Sequence, residues 1–274
     1  ARGHLVDPSG ASGAQTSPVF SEAAAKPSAG ARLGPMGMQG EELFRLLKTT
    51  DLVSLLQERE GILQVRSVFP ETDAKRILDM VLDIPAKQYF HSKYLEHGGK
   101  EWSTRHSFSR FHSSSLSEIV KMFEPLAPDL LLSLGAGKYA PGDFIDPHND
   151  LSGDTLKEAA KALSGKVYPI GTKRVRKVAV NYYLTRQVGG GDWEEHCGGL
   201  LQDLEDEGLV RTYVPEFNSL TMYLVPRNHS VTELKAGCPE RRSIFGWFIA
   251  EGDMAVVKAA YEKKKNRKML SVSR

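Results

Sequence analysis

Lys138 to Asp150 reads K-Y-A-P-G-D-F-I-D-P-H-N-D and closes on His148-x-Asp150. In an extended backbone, side chains two residues apart point to the same face. An imidazole and a carboxylate so placed form half of a metal site. Alone the pair is a weak signal, so its weight depends on the residues C-terminal to it.

From Lys138 onward the sequence turns to β patterning. Arg176–Thr185 (R-K-V-A-V-N-Y-Y-L-T) is rich in β-branched and aromatic residues, as a strand requires. Gly198-Gly199-Leu200-Leu201, Pro215–Leu224, His229–Leu234 and Arg241–Ile249 read as further strands, with a turn at Ala236-Gly237-Cys238-Pro239. Short strands separated by turns suggest a sandwich or jelly roll. Within this half, His229 supplies a second imidazole. His148, Asp150 and His229 make a two-His, one-carboxylate set, which suits non-haem Fe(II) and leaves open positions. A cation on the strand after His229 would clamp a carboxylate. Arg241 shares one face with Ser243, Phe245 and Trp247. Arg242 shares the other with Ile244, Gly246 and Phe248. Both faces carry apolar residues, so parity alone does not choose between the two arginines.

The ordered set Y-x-P-G-D-x-I-x-P-H-x-D, V-N-Y-Y-L-T, G-G-L-L, P-E-F-N-S-L-T-M-Y, H-S-V and R-R-S-I-F-G-W-F resembles the Fe(II)- and 2-oxoglutarate-dependent dioxygenases, in their prolyl-hydroxylase-like branch. The resemblance spans about Lys138 to Gly252. It implies a mainly β fold with flanking helices (α+β), a double-stranded β-helix with helices packed on one sheet. It implies Fe(II), 2-oxoglutarate and O2, with ascorbate compatible, and His148, Asp150 and His229 as metal ligands. In that family the co-substrate arginine lies six residues before the tryptophan of the last strand, so Trp247 selects Arg241. Tyr139 and Tyr183 would meet the far carboxylate of 2-oxoglutarate, with Asn181 on the same inward face as Tyr183. No catalytic group beyond the metal centre is implied. The implied reaction couples oxidative decarboxylation of 2-oxoglutarate to C–H hydroxylation, with prolyl residues of a protein as substrate. A nucleic-acid branch carries a second arginine where Trp247 stands here, which argues against a nucleic-acid substrate. The alternative reading is a structural or assembly subunit that keeps the fold without the chemistry.

The remainder of the chain reads as support. Residues 1–37 are Ala-, Gly-, Ser- and Pro-rich and suit a flexible arm. The chain starts at Ala1, and the arm's scarcity of acids would fit what remains of an organellar presequence. The dioxygenase domain is expected over 38–253. It comprises helical support over 38–134, a jelly-roll core over about 135–250 and an insert over 151–173. Within the support, Glu41–Arg59, a helix opening at Phe69-Pro70-Glu71, and Leu116–Phe123 followed by Leu126–Leu134 carry helical patterning, and Gly61–Val65 a strand. Tyr89–His112 holds His91, His97, His106 and His112 without ligand spacing and reads as surface and loop. In the insert, Thr155–Ser164 is expected to be a helix capped by Ser152 or Asp154, either a substrate lid or a docking surface. Residues 254–274 form a basic C-terminal helix or tail, with seven Lys or Arg against one Glu from Lys258 to Arg274. Arm, insert and tail are candidate contacts for a larger assembly. No stretch is long and apolar enough to span a membrane. Cys197 and Cys238 make no disulfide framework, which fits a reducing compartment or indifference to redox state; an intracellular setting is expected.

Overall fold

The computed structural model describes residues 32–33, 37–97, 100–110, 117–186 and 191–272, with backbone alone for 32–33, 91–97, 100–110 and 267–272. The arm expected over 1–37 lies almost wholly outside the described residues, as does His112. The side chains of His91, His97 and His106 are likewise not described.

The chain first lays down β1 (Arg32–Leu33), β2 (Met38–Gln39), α1 (Gly40–Leu46), α2 (Leu52–Glu58), β3 (Ile62–Arg66) and α3 (Glu71–Leu82). Then come β4 (Phe90–His97), β5 (Lys100–Arg110), α4 (Ser117–Phe123), β6 (Leu131–Tyr139) and β7 (Phe144–His148). The insert holds β8 (Gly153–Thr155), β9 (Ala160–Lys161) and β10 (Val167–Tyr168). The rest is β11 (Lys173–Tyr183), β12 (Leu201–Asp206), β13 (Leu209–Tyr213), β14 (Ser219–Leu224), β15 (His229–Val231), β16 (Arg241–Glu251) and α5 (Met254–Val272). None of the described helices is long and apolar enough to cross a membrane.

The architecture is a double-stranded β-helix. One sheet runs β6-β16-β11-β14-β3-β2 and the other β7-β15-β12-β13-β1. Strand β5 belongs to both. Its Ser107–Arg110 end pairs with β6, and Thr104 and Arg105 pair with β7. The first sheet is covered on both faces. Val178, Val180, Tyr182, Leu220, Met222, Ile244 and Phe248 point to the helices and join Leu55, Leu56, Ile77, Val81 and Phe123 in the main core. Phe69, Phe123 and Tyr182 meet edge-to-face there, with centroids 5.3 to 5.5 Å apart. The alternate residues Ala179, Tyr223 and Trp247 point the other way, into a second cluster between the sheets. Strict period-2 alternation thus gives one set of side chains to the helices and the other to the interior.

Several expectations fail locally. Glu41–Arg59 is two short helices, because Asp51 caps a fresh start by accepting from the Ser54 N–H at 3.0 Å. Tyr89–His112 is largely the β4–β5 hairpin, and Leu131–Leu134 opens β6 instead of extending a helical run. The support over 38–134 is therefore mixed α and β. The Thr155–Ser164 helix is absent. The segment makes short strands with turns at Gly165 and Gly171, both at positive φ. Leu156, Ala162 and Tyr168 bury together against Leu131, and the Tyr168 hydroxyl donates to the Asp129 carbonyl at 2.7 Å. Helix preferences of about 0–0.7 kcal/mol per residue are outweighed by burying that cluster. Asp154 caps nothing and pairs with Arg174, while the Ser152 carbonyl accepts from the Arg176 N–H. Cys197 and Cys238 are bonded to each other, with Cα atoms 5.5 Å apart.

Candidate active site

β7 and β15 pair antiparallel with His148 opposite His229, which brings the two imidazoles together across a sheet. Their ring centroids are 4.1 Å apart. β7 ends at His148, so Asp150 is not on an extended strand. It adopts the left-handed region at φ 60, which Asp tolerates better than most residues. That turn returns the carboxylate to the histidines.

The hydrogen bonds fix the tautomers. His148 Nδ1 lies 2.8 Å from the Asp146 carbonyl, and His229 Nδ1 lies 2.8 Å from the Arg227 carbonyl. A carbonyl only accepts, so each Nδ1 carries the proton and each Nε2 presents a lone pair. His148 Nε2 then faces Asp150 Oδ1 at 3.6 Å, and His229 Nε2 faces Asp150 Oδ2 at 3.6 Å. These acceptors lie within 4.8 Å of one another. Acceptors aimed at each other in a buried place call for a cation. A proton is a poor substitute on His229, where burial, then the neighbouring His148, pushes the imidazole down to about 4. Burial also opposes charge on His148 and Asp150. For both, the mutual attraction of imidazolium and carboxylate outweighs it, raising His148 and lowering Asp150. Two neutral imidazoles, one carboxylate and open space beside them fit Fe(II).

Support reaches outward from His229. The guanidinium of Arg227 donates to both oxygens of Asp203, at 2.8 and 2.6 Å, and to the Glu60 carbonyl at 2.8 Å. Asp203 and Arg227 are both buried. This pair fixes the backbone whose carbonyl orients His229.

A cavity of about 520 Å³ opens from the three residues, lined among others by Tyr139, Asn181, Tyr223 and Trp247. β16 places Arg241 opposite Tyr139 of β6. Arg241 is only 2% exposed. Its guanidinium lies over the Tyr139 ring at 4.4 Å and the Tyr183 ring at 5.0 Å. Arg241 Nε and Nη1, the Tyr183 hydroxyl and the Thr221 hydroxyl are buried and have no hydrogen-bond partner among the described residues. A buried cation with orphaned donors lacks an anion. Burial pushes the Tyr139 hydroxyl up to about 12, against the pull of Arg241, so it is a donor at neutral pH. Arg242 points elsewhere and pairs with Glu240 at 2.6 Å. Asn181 lies opposite Phe245 and Thr221 on the interior face of the sheet, as alternation from Tyr183 requires.

The sequence reading overlooked four contributors. The Tyr223 hydroxyl donates to Asp150 Oδ2 at 3.0 Å and stands 2.8 Å from His229 Nε2. Arg176 stacks on Trp247 at 3.5 Å and reaches the Asp150 carbonyl at 3.3 Å. Gly199, at φ +64, packs so closely that a Cβ would sit 2.9 Å from Arg241 Cδ. Thr221 lies beside Tyr183 on the inner face. The alternation Ser219, Thr221, Tyr223 was the available signal, since it puts three hydroxyls on the interior face.

Residues 134–249 match the 2OG-Fe(II) oxygenase superfamily. No protein of curated function matches the chain. Among solved structures, a Pseudomonas putida prolyl-4-hydroxylase is similar, with TM-score 0.50 and 16% identity over 73% of this chain and 100% of that one. A Burkholderia pseudomallei oxidoreductase of the 2OG-Fe(II) oxygenase family gives TM-score 0.50 and 11% identity over 81% of this chain and 94% of that one. The non-heme alpha ketoglutarate dependent epimerase SnoN, from nogalamycin biosynthesis, gives 0.49 and 14% over 77% and 86%. At these identities the likeness is one of fold.

Proposed function

We propose, for a chain whose residues 134–249 belong to the 2OG-Fe(II) oxygenase superfamily, that it is an Fe(II)- and 2-oxoglutarate-dependent hydroxylase acting on prolyl residues of a protein. The observation that carries the oxygenase reading is the pairing of two unfilled needs, one lining the cavity and one behind Tyr139, a residue of its wall. Three acceptors face each other for want of a cation, and a buried arginine lacks an anion. His148, Asp150 and His229 hold the metal through Nε2, a carboxylate oxygen and Nε2. Arg241 takes the far carboxylate of 2-oxoglutarate, and Tyr139 and Tyr183 donate to it. Asn181 lines the same wall. Bound iron with 2-oxoglutarate supplies an oxidant able to hydroxylate a C–H bond.

The chain's own residues place and shield. The carbonyls of Asp146 and Arg227 lock the two histidine tautomers. Burial of Arg241 keeps water from its carboxylate partner and strengthens the pair. At the outer wall Arg176, stacked on Trp247 and paired with Asp150, and Arg174, paired with Asp154, line the same cavity. An aromatic face beside the metal site suits the ring of a prolyl residue. Likeness of fold to the Pseudomonas prolyl-4-hydroxylase supports that choice of substrate.

The test has two parts. Purified protein should convert 2-oxoglutarate to succinate with Fe(II), and His148→Ala and Arg241→Met should not. Mass spectrometry of co-purifying proteins should then show a gain of one oxygen on prolyl residues. Absence of turnover with candidate substrates, together with no metal binding, would favour a structural subunit. Oxygen gain confined to a small metabolite would overturn the prolyl reading alone.

A further inference from the structure

The bond between Cys197 and Cys238 lies away from the main core and next to the arginine of the site. Cys197 is buried in the interior cluster with Tyr139, Leu200 and Leu234, and Cys238 packs at its margin. Gly199 follows Cys197 by two residues, and Arg241 follows Cys238 by three. Gly199 and Arg241 touch so closely that a Cβ on the glycine would stand 2.9 Å from Arg241 Cδ. The bond therefore joins the stretch that carries Arg241 to the stretch that confines its side chain.

Other ties between these stretches stop short of Arg241. The Cys197 carbonyl accepts from the Lys235 N–H at 2.8 Å. The Thr232 carbonyl and hydroxyl accept from the N–H groups of Gly199 and Leu200 at 3.2 and 3.0 Å. Among the described hydrogen bonds, these reach no further along the chain than Lys235. β16 begins at Arg241. Between them lies an outward turn, with Ala236 and Gly237 exposed and Gly237 at φ 83. Glu240 pairs with Arg242 and Lys138, neither of which belongs to the Gly199 stretch. The disulfide is thus the covalent tie that fixes the approach to Arg241 against Gly199.

The bond is also placed to be opened. Cys238 is half-buried in an exposed turn, so a small dithiol can reach its sulfur. His196 Nε2 stands 3.8 Å from Cys197 Sγ, beside the sulfur that would leave. We propose, on the basis of the 2-oxoglutarate reading above, that the Cys197–Cys238 pair is a redox switch on the co-substrate site. The disulfide holds Arg241 in place for the far carboxylate, and reduction releases it. In the reduction a thiolate of a dithiol attacks Cys238 Sγ, and the Cys197–Cys238 bond breaks. Its electron pair leaves on Cys197, which takes a proton. The dithiol's second sulfur then displaces Cys238, which leaves as a thiol. Two electrons and two protons pass to the protein, and the dithiol departs as a cyclic disulfide. The metal-facing residues are held by the pairing of β7 with β15, which the disulfide does not touch.

Linkage makes the effect reciprocal. A tenfold weakening of 2-oxoglutarate on reduction is within the usual range for coupled sites. Bound 2-oxoglutarate then lowers the pair's reduction potential by about 30 mV.

The test uses the full chain loaded with Mn(II), equilibrated with oxidised or reduced dithiothreitol that is then removed without air. Thiol titration should find none after oxidation and both cysteines after reduction. Calorimetry should give a 2-oxoglutarate Kd about tenfold higher after reduction, with the Mn(II) Kd unchanged. Cys238→Ser should bind 2-oxoglutarate as weakly as reduced wild type, whichever treatment it receives. In dithiothreitol redox buffers, saturating 2-oxoglutarate should shift the wild-type midpoint by the same factor. A pair that does not interconvert in the folded protein, an unchanged 2-oxoglutarate Kd after both thiols appear, or Mn(II) and 2-oxoglutarate weakening together overturns the switch and leaves the co-substrate reading standing. Oxidised wild type that binds no 2-oxoglutarate, or Arg241→Met that binds it equally well, overturns both. Should Cys238→Ser fail to fold, the redox-buffer midpoint of wild type decides alone.

Discussion

Replacing Arg241 by Met should stabilise the protein without its co-substrate and destroy its affinity for that co-substrate. Arg241 is 2% exposed, and its Nε and Nη1 have no partner among the described residues. Each buried, unmade hydrogen bond costs about 1–3 kcal/mol. Two such groups amount to about 4 kcal/mol at the middle of that range. Against this stand the contacts with Tyr139 and Tyr183, worth roughly 0.5–2 kcal/mol each. Met is unbranched and fills the slot between the rings. The net gain is then about 2 kcal/mol, or about 4–8 °C in midpoint for a chain of this size. With 2-oxoglutarate the sign reverses. Two charge-assisted hydrogen bonds are lost, and Kd rises on the order of 10²- to 10³-fold. Thermal melts of metal-free protein and calorimetric titration of the Mn(II)-loaded protein read the two effects. A metal-free Arg241→Met that melts lower than wild type would refute the reasoning, since it would mean the guanidinium is already satisfied.

Other perturbations test the surroundings. Adding Co(II) or Mn(II) at about 100 times its Kd should stabilise wild type by about 2.7 kcal/mol; a chelator should reverse this, and an equal gain in His148→Ala would count against the site. Arg227→Leu leaves the buried Asp203 carboxylate only the looser contact with Arg211 at 3.4 Å and should cost about 3 kcal/mol in urea unfolding, the low end for breaking a buried pair; adding Asp203→Leu should recover most of it. Gly199→Ala meets both a positive φ and Arg241 Cδ at 2.9 Å, so calorimetry should show weaker 2-oxoglutarate binding with metal binding nearly unchanged. The Cys197–Cys238 bond closes a separation of 41 residues, so Cys238→Ser should lower stability by about 4 kcal/mol on the chain-entropy estimate; identical urea midpoints with and without reductant would contradict that.

Legibility in the sequence tracked the range of the forces. The alternation in Arg241–Ile249 was readable because strand periodicity is local. Its ambiguity was physical as well, since both faces of that strand are covered. Ile244 and Phe248 meet the helices, while Trp247 packs against the interior cluster. His148-x-Asp150 was readable as a pair, but for a different reason than strand parity, because Asp150 reaches the histidines through a left-handed turn. Thr155–Ser164 was misread because its helical preference is worth little beside the burial of Leu156, Ala162 and Tyr168. The cysteine pair, the β4–β5 hairpin and the Arg227–Asp203 ion pair depend on partners remote in the chain, and spacing carries no sign of them.

Tyr223 shows the limit most clearly. In the sequence it is one aromatic in a strand of Leu, Thr and Met, indistinguishable from Tyr182 on β11. Both are buried, and both donate a hydrogen bond. Tyr182 donates to Asn218 Oδ1 at 2.9 Å within the main core, and its needs end there. Tyr223 faces two acceptors with a single proton. The difference between the two hydroxyls thus lies in the number of acceptors around each. That number is set in part by the backbone carbonyl of Arg227, which holds the His229 proton on Nδ1 and which no pattern of side-chain letters records.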